Sequence, residues 1–144
     1  MSSGILGTRA TLVADINLLV QIALFFILVT AAWQGRNRRY ETHLKLMRVA
    51  VIINAVAIVA VMNPSFFRVL PFAARNPAAP GPTAMWPHVA LGAVAELMGA
   101  YLVIRLGVDP GSAPRLRRVM ALTLVLWLTA LLAGFAVYWI WHVR

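Results

Sequence analysis

Residues 119–141 read VMALTLVLWLTALLAGFAVYWIW and carry no charged side chain. A helix needs about 20 apolar residues to cross about 30 Å of hydrocarbon, so this stretch predicts a membrane-spanning helix. Residues 12–33, 44–62 and 86–107 have the same apolar character. Their apolar residues run continuously instead of alternating, which favours helices over the strands of a membrane barrel. We therefore expect one all-α membrane domain over residues 1–144, an antiparallel bundle of four transmembrane helices.

The distribution of charge predicts the orientation of these helices. The chain is 62% hydrophobic and 12% charged, and its net charge is +9. Most of the basic residues lie around the first and third connections between the predicted helices. These are Arg36, Arg38, Arg39, Lys45, Arg48, Arg105, Arg115, Arg117 and Arg118. Basic residues favour the cytoplasmic side, so both chain termini are expected outside, and the arginines are expected to contact anionic lipid and no nucleic acid.

Prolines mark the remaining connection. Residues 63–87 hold six of the eight prolines in the chain. Because proline interrupts helices, we expect residues 63–85 to form an external loop that is irregular over residues 76–83. Residues 65–74 leave open one or two helical turns lying on the membrane surface.

Two polar side chains fall near the middle of predicted helices, where burial without a partner is costly. They are Asn54 and Glu96. One stripe of the third helix carries, at helical spacing, His88, Gly92, Glu96 and Gly99. Three interpretations of Glu96 stay open. In the first, it is a protonated carboxyl that serves packing and is hydrogen-bonded to Asn54, Gln21 or a backbone carbonyl. In the second, it handles protons or binds a ligand. In the third, it contacts a partner subunit.

The histidines define the only geometrically allowed cofactor pair. His88 and His142 are predicted at the outer ends of consecutive helices, where two imidazoles could hold the iron of haem b. Met85 could add a soft ligand if the site bound copper instead. His43 is predicted at the opposite end of the bundle, and the chain has no cysteine to supply a thiolate. His88 is the strongest candidate for a functional side chain, because its stripe should face the bundle interior.

A series of short motifs resembles a known family. The matching residues are Glu41, His43, Met47, His88, Gly99, Trp127, Gly134 and Tyr138. The first three open the second helix after a basic run at residues 36–39. The next two lie eleven residues apart in the third helix, and the last two form a Gly-x-x-x-Tyr step. In this order and spacing the chain resembles small four-helix bacterial membrane proteins of unknown function that include the CtaM-like maturation factors of haem-copper oxidases.

The resemblance implies an accessory or assembly protein of the bacterial cytoplasmic membrane. Its partner would be a larger respiratory complex, a haem-copper terminal oxidase above all, bound through helix–helix contact. Leu116 stands where the family has a further histidine, so any cytoplasmic site shared with His43 is incomplete. Two other functions stay open: a haem b electron-transfer subunit using His88 and His142, and a proton or metabolite carrier using Glu96. The sequence contains no nucleotide loop, hydrolase triad or metalloprotease motif, so we do not expect an enzyme.

Overall fold

Four long helices dominate the fold, as the sequence predicts. A computed structural model describes residues 4–143, which contain helices and turns but no strand. The helices are α1 (Leu12–Arg36), α2 (Tyr40–Ala57), α3 (Asn63–Arg75), α4 (Pro80–Val108) and α5 (Ala113–His142). A π-helical turn, Ile58–Met62, joins α2 to α3 without a break. The four stretches long and apolar enough to cross a membrane are Leu12–Arg36, Tyr40–Arg75, Pro80–Val108 and Pro110–His142, so the all-α transmembrane bundle is confirmed.

The bundle consists of two antiparallel hairpins. A short turn at residues 37–39 joins α1 to α2, and a single 3-10 turn, Pro110–Ser112, joins α4 to α5. We call the end that carries these two turns the inner end, and the opposite end the outer end. The basic clusters lie at the inner end, which the charge distribution predicts to be cytoplasmic. Thr11 caps α1 at the outer end, where its hydroxyl accepts a hydrogen bond of 3.3 Å from the Ala14 N–H.

A compact core lies in the middle of the bundle. It is formed by Leu24, Leu28, Ala50, Val51, Ala95 and Trp127. Trp127 is 2% exposed and fits over Gly99, where a Cβ atom would stand 2.9 Å from the indole. Gly99 therefore lets α4 and α5 approach closely enough to enclose a large ring. The outward faces carry exposed apolar side chains such as Leu97 and Val108, as expected for helices surrounded by lipid.

The proline-rich connection differs from the expected loop. Residues 63–75 form α3, and α4 already begins at Pro80, so only residues 76–79 lie outside helices. Pro80 and Pro82 occupy the first turn of α4, where the missing N–H would have no helical partner. These two prolines therefore begin α4 instead of breaking it. Pro71 and Pro87 lie inside helices and are exposed.

The π-helical turn and α3 shape the outer end of the bundle. The N–H of Asn63 donates to the carbonyl of Ile58, one residue beyond the α-helical partner. This wider turn directly precedes Pro64, whose ring would clash with the carbonyl four residues earlier in a regular helix. The helix α3 then packs by its aromatic rings: Phe66 lies 6.0 Å from Trp86, and Phe72 lies 5.9 Å from Trp141, between ring centroids. These contacts hold α3 against α4 and α5.

Candidate functional site

A cavity of about 560 Å³ opens between the two hairpins in the outer half of the bundle. Residues from α1, α2, α3, α4, α5 and the π-helical turn line it. Its walls are mostly apolar, with several polar side chains among them: Asn17, Gln21, Asn54, His88 and Tyr138. Concave apolar sites of this size with a few polar groups are typical of binding sites for small molecules. This cavity is the main candidate site of the protein.

A chain of polar side chains forms the inner wall of this cavity. Gln21 Nε2 donates to Asn54 Oδ1 over 3.4 Å, and Asn54 Nδ2 donates to Glu96 Oε2 over 2.8 Å. Asn54 is 5% exposed, and each amide group has a partner, which removes most of the cost of burial. The expected pairing of Glu96 with Asn54 is therefore present. The chain connects α1, α2 and α4 and links the cavity to the carboxyl near the middle of the membrane.

His88 is anchored to α5 and faces the cavity. Its Nδ1 lies 2.9 Å from the carbonyl oxygen of Ala130. A carbonyl only accepts hydrogen bonds, so Nδ1 carries the hydrogen and Nε2 of the neutral ring is an acceptor. The ring lies against Gly134, where a Cβ atom would stand 2.8 Å from Cε1. The structure thus fixes both the orientation and the tautomer of His88.

His43 is held at the inner end in the same way. Its Nδ1 lies 2.7 Å from the carbonyl oxygen of Ala31, and a Cβ atom at Gly35 would stand 3.2 Å from that nitrogen. Each histidine therefore packs on an Ala-x-x-x-Gly segment of the preceding or following helix, Ala31 to Gly35 for one hairpin and Ala130 to Gly134 for the other. His43 does not line the outer cavity.

His142 and His88 both line the outer cavity, where their rings pack on different residues of α5. The ring of His142 packs on Tyr138, with 5.1 Å between ring centroids, whereas His88 packs on Gly134. Those two positions are one helical turn apart, about 6 Å along α5. Met85 is buried and lines the same cavity as His88. Over residues 4–143 no group of three or more potential metal-binding side chains forms. The haem b site of His88 and His142 stays a prediction.

A second polar cluster, not predicted from the sequence, closes the outer end. The carboxylate of Asp15 is fully buried and accepts hydrogen bonds from the hydroxyl of Tyr138 and from the N–H of Leu6 at 2.9 Å. The hydroxyl of Thr8 lies 3.0 Å from that of Tyr138. The N–H of Arg9 donates to the carbonyl of His142 over 3.1 Å. Residues 4–11 are thereby fastened across the end of α5.

The other residues that bear on the family resemblance lie elsewhere in the structure. Glu41 forms an exposed ion pair with Lys45 at 2.7 Å, and Met47 packs against the core. Leu116 is half-buried at the inner end. His43 finds its partner in the Ala31 carbonyl and does not depend on position 116.

Comparisons with known proteins found no match to this chain. No family model matches the chain, and neither a curated protein nor a solved structure matches it. The proposals that follow therefore rest on the geometry of the site and on the resemblance of the matched residues.

Proposed function

We propose that the protein is an accessory or assembly protein of a membrane electron-transfer complex in the bacterial cytoplasmic membrane. A haem-copper terminal oxidase is the complex that the resemblance favours. The protein would act by helix–helix contact, through the apolar side chains that its four transmembrane helices turn outward. The part of the chain that could bind a water-soluble partner is small, because most residues lie in membrane-spanning helices.

One observation carries this proposal: four of the eight residues of the resemblance contact one another, in two pairs. His88 packs on Gly134, and Gly99 packs on Trp127. The members of each pair lie on different helices and far apart in the sequence. Both residues of each contact match the family in type and spacing. This match supports the same arrangement of α4 and α5 in this chain and in the family. Tyr138, the last matched residue, binds Asp15 of α1 and connects that arrangement to the first hairpin.

The two histidines allow a matched test of this function. Both bind a backbone carbonyl through Nδ1 and pack on a glycine, so replacing either by alanine removes a similar structural contact. Of these two histidines, only His88 lines the outer cavity. We expect His88→Ala to lower the activity of the associated oxidase in membranes severalfold more than His43→Ala, at equal abundance of the two variants.

Oxidase activity and the level of each variant are to be measured in membranes of a strain that lacks the native copy. If His43→Ala has the equal or larger effect, the inner end carries the function and the proposed role of the outer cavity is wrong. If neither variant changes oxidase activity, and neither does deletion of the whole chain, the oxidase is not the partner.

A second candidate function is a small proton or metabolite carrier that uses Glu96. The polar chain from Gln21 through Asn54 to Glu96 favours it, because that chain begins at the outer cavity and ends at a carboxyl inside the membrane. Ionisable groups in that environment commonly mark transport pathways. Proton flux into vesicles that contain the purified protein tests this candidate, with Glu96→Gln expected to abolish the flux. Equal flux in the two proteins would exclude it.

A further inference from the structure

We propose that a groove between α1 and α5 at the inner end binds one anionic phospholipid, with the lipid phosphate at Arg36 and Arg117 and an acyl chain against the apolar walls. This inference does not depend on the oxidase role. It rests on three features of the inner end: the lining of the groove, the level at which the two arginines lie, and the lack of a carboxylate within residues 4–143 to neutralise them.

The groove is lined almost entirely by apolar side chains. It has a volume of about 310 Å³ and lies where α1 faces α5. Its lining residues are Val29, Ala32, Trp33, Arg36, Leu124 and Leu128. The four members from α1 follow one stripe at helical spacing, and Arg36 is the last of them. Trp33 and Arg36 are exposed, so the groove is open to the surroundings of the bundle. An apolar groove that ends in a tryptophan and an arginine has the character of a membrane interface.

A second arginine lies at the same level on the opposite wall. Arg117 precedes Leu124 by seven residues, so it continues the α5 stripe of the groove toward the inner end. The hydrogen bond between Asp15 and Tyr138 sets the register of α1 against α5. Arg36 follows Asp15 by 21 residues in α1, and Arg117 precedes Tyr138 by the same number in α5. Both arginines therefore lie about 32 Å from this hydrogen bond, close to the thickness of the hydrocarbon layer. That level is the inner boundary between hydrocarbon and headgroups.

No carboxylate within residues 4–143 forms an ion pair with either arginine. All four acidic residues of the chain lie in this range. Glu41 forms its ion pair with Lys45. Asp109 forms one with Arg105 over 3.2 Å. The other two belong to the polar cluster at the outer end and to the polar chain beside the outer cavity. Basic pockets between membrane helices bind phospholipid headgroups, so a lipid phosphate fits the two charges. The apolar walls favour a lipid over free phosphate, because only the lipid brings a chain to cover them.

Two lipids with the same acyl chains test the need for an anionic headgroup. They are palmitoyl-oleoyl phosphatidylglycerol and palmitoyl-oleoyl phosphatidylcholine. Binding of the first lipid molecule is to be measured by native mass spectrometry of the purified full chain released from detergent micelles. We expect phosphatidylglycerol to bind at least about tenfold more tightly, because the two arginines attract a net negative headgroup. Equal affinities would overturn the proposal. A large excess of inorganic phosphate should not displace the lipid, and displacement would show that the site binds free phosphate instead.

Two double variants of equal net charge distinguish this groove from the general attraction of the basic inner end. Arg36→Gln with Arg117→Gln should lower the affinity for phosphatidylglycerol about tenfold. Arg39→Gln with Arg115→Gln should lower it less than about twofold, because Arg39 lies beyond α1 and Arg115 lies on the opposite side of α5 from Leu124. All four arginines are exposed, so none of these changes is expected to unfold the chain. Equal losses in the two double variants would mean that the whole basic surface attracts the lipid and that the groove is not a site.

The position of the acyl chain has a test of its own. Ala32→Phe should narrow the groove and weaken phosphatidylglycerol binding about threefold or more, with no change of charge. Ala90→Phe is the matched control, because Ala90 is exposed on α4 and lines neither the groove nor the outer cavity. We expect this control to bind the lipid as the wild-type protein does. If the two variants behave alike, the acyl chain does not lie in this groove.

Discussion

Three partly buried polar contacts connect the helices of the outer half of the bundle: Asn54 with Glu96, Asp15 with Tyr138, and His88 with the Ala130 carbonyl. Asn54 and Glu96 are conspicuous in an apolar sequence, and the cost of burying each alone predicted that each needs a partner. Asn54 was one of several partners left open for Glu96, and it is the one that the structure shows. Asp15 was missed, because an acidic residue in the first turn of a helix is common and suggests only a helix start. Its partner Tyr138 lies 123 positions away, and no local spacing connects the two. The tautomer of His88 likewise depends on a carbonyl of another helix.

Glu96 provides a prediction at the residue scale. An amide at this position can still accept the hydrogen bond from Asn54, so Glu96→Gln should leave abundance and thermal stability close to those of the wild-type protein. Glu96→Lys places a charge in the membrane without an acceptor for its ammonium group and should lower abundance strongly. Immunoblots of membranes and melting temperatures in detergent measure both. Equal loss in the two variants would mean that the carboxyl itself is required.

At the scale of elements, glycines determine where two helices pack closely, and the sequence alone does not show which glycine does so. Gly92 and Gly99 occupy one stripe of α4, and a glycine at either position could let a neighbouring helix approach closely. Only Gly99 does so, against Trp127, whereas Gly92 faces open space. The α3 segment shows the converse problem. Its prolines suggested a loop, because the sequence does not show that a π-helical turn precedes Pro64 or that Pro71 lies exposed inside a helix.

Two glycine-to-alanine changes should have opposite effects on stability. At Gly134 the added Cβ would stand 2.8 Å from the ring of His88 and force it off the Ala130 carbonyl, at a cost of about 1–2 kcal/mol. At Gly92 the added methyl meets no atom, and alanine favours the helix by about 0.5–1 kcal/mol. Melting temperatures of Gly134→Ala and Gly92→Ala in the same detergent test this. Stabilisation by both changes would show that the His88 contact contributes nothing to folding.

At the scale of the whole molecule, composition was sufficient to predict the architecture. Four long apolar stretches leave few arrangements, and consecutive helices joined by short turns pack antiparallel. What composition could not predict is the space between the hairpins. The outer cavity arises because α1/α2 and α4/α5 separate above the core that Trp127 fills, and this depends on the packing of side chains.

The orientation of the bundle can be tested with two single cysteines in a chain that has none of its own. Ala78 is exposed in the turn between α3 and α4, and Asn37 is exposed in the turn between α1 and α2. Because the basic clusters lie at the inner end, Ala78→Cys should react with a membrane-impermeant maleimide added to intact cells. Asn37→Cys should react only after the membrane is opened. The reverse labelling pattern would place the outer cavity in the cytoplasm.

The fastening of residues 4–11 across α5 bears on how the protein is made. The ribosome releases the first helix long before the last one, so Asp15 must spend most of synthesis without the hydroxyl of Tyr138. A carboxylate near the membrane surface then keeps its water until α5 arrives. Insertion of the final helix is thus the event that dehydrates Asp15 and seals the outer end. Residues 8–15 therefore reach their final hydrogen bonds only after α5 has been inserted.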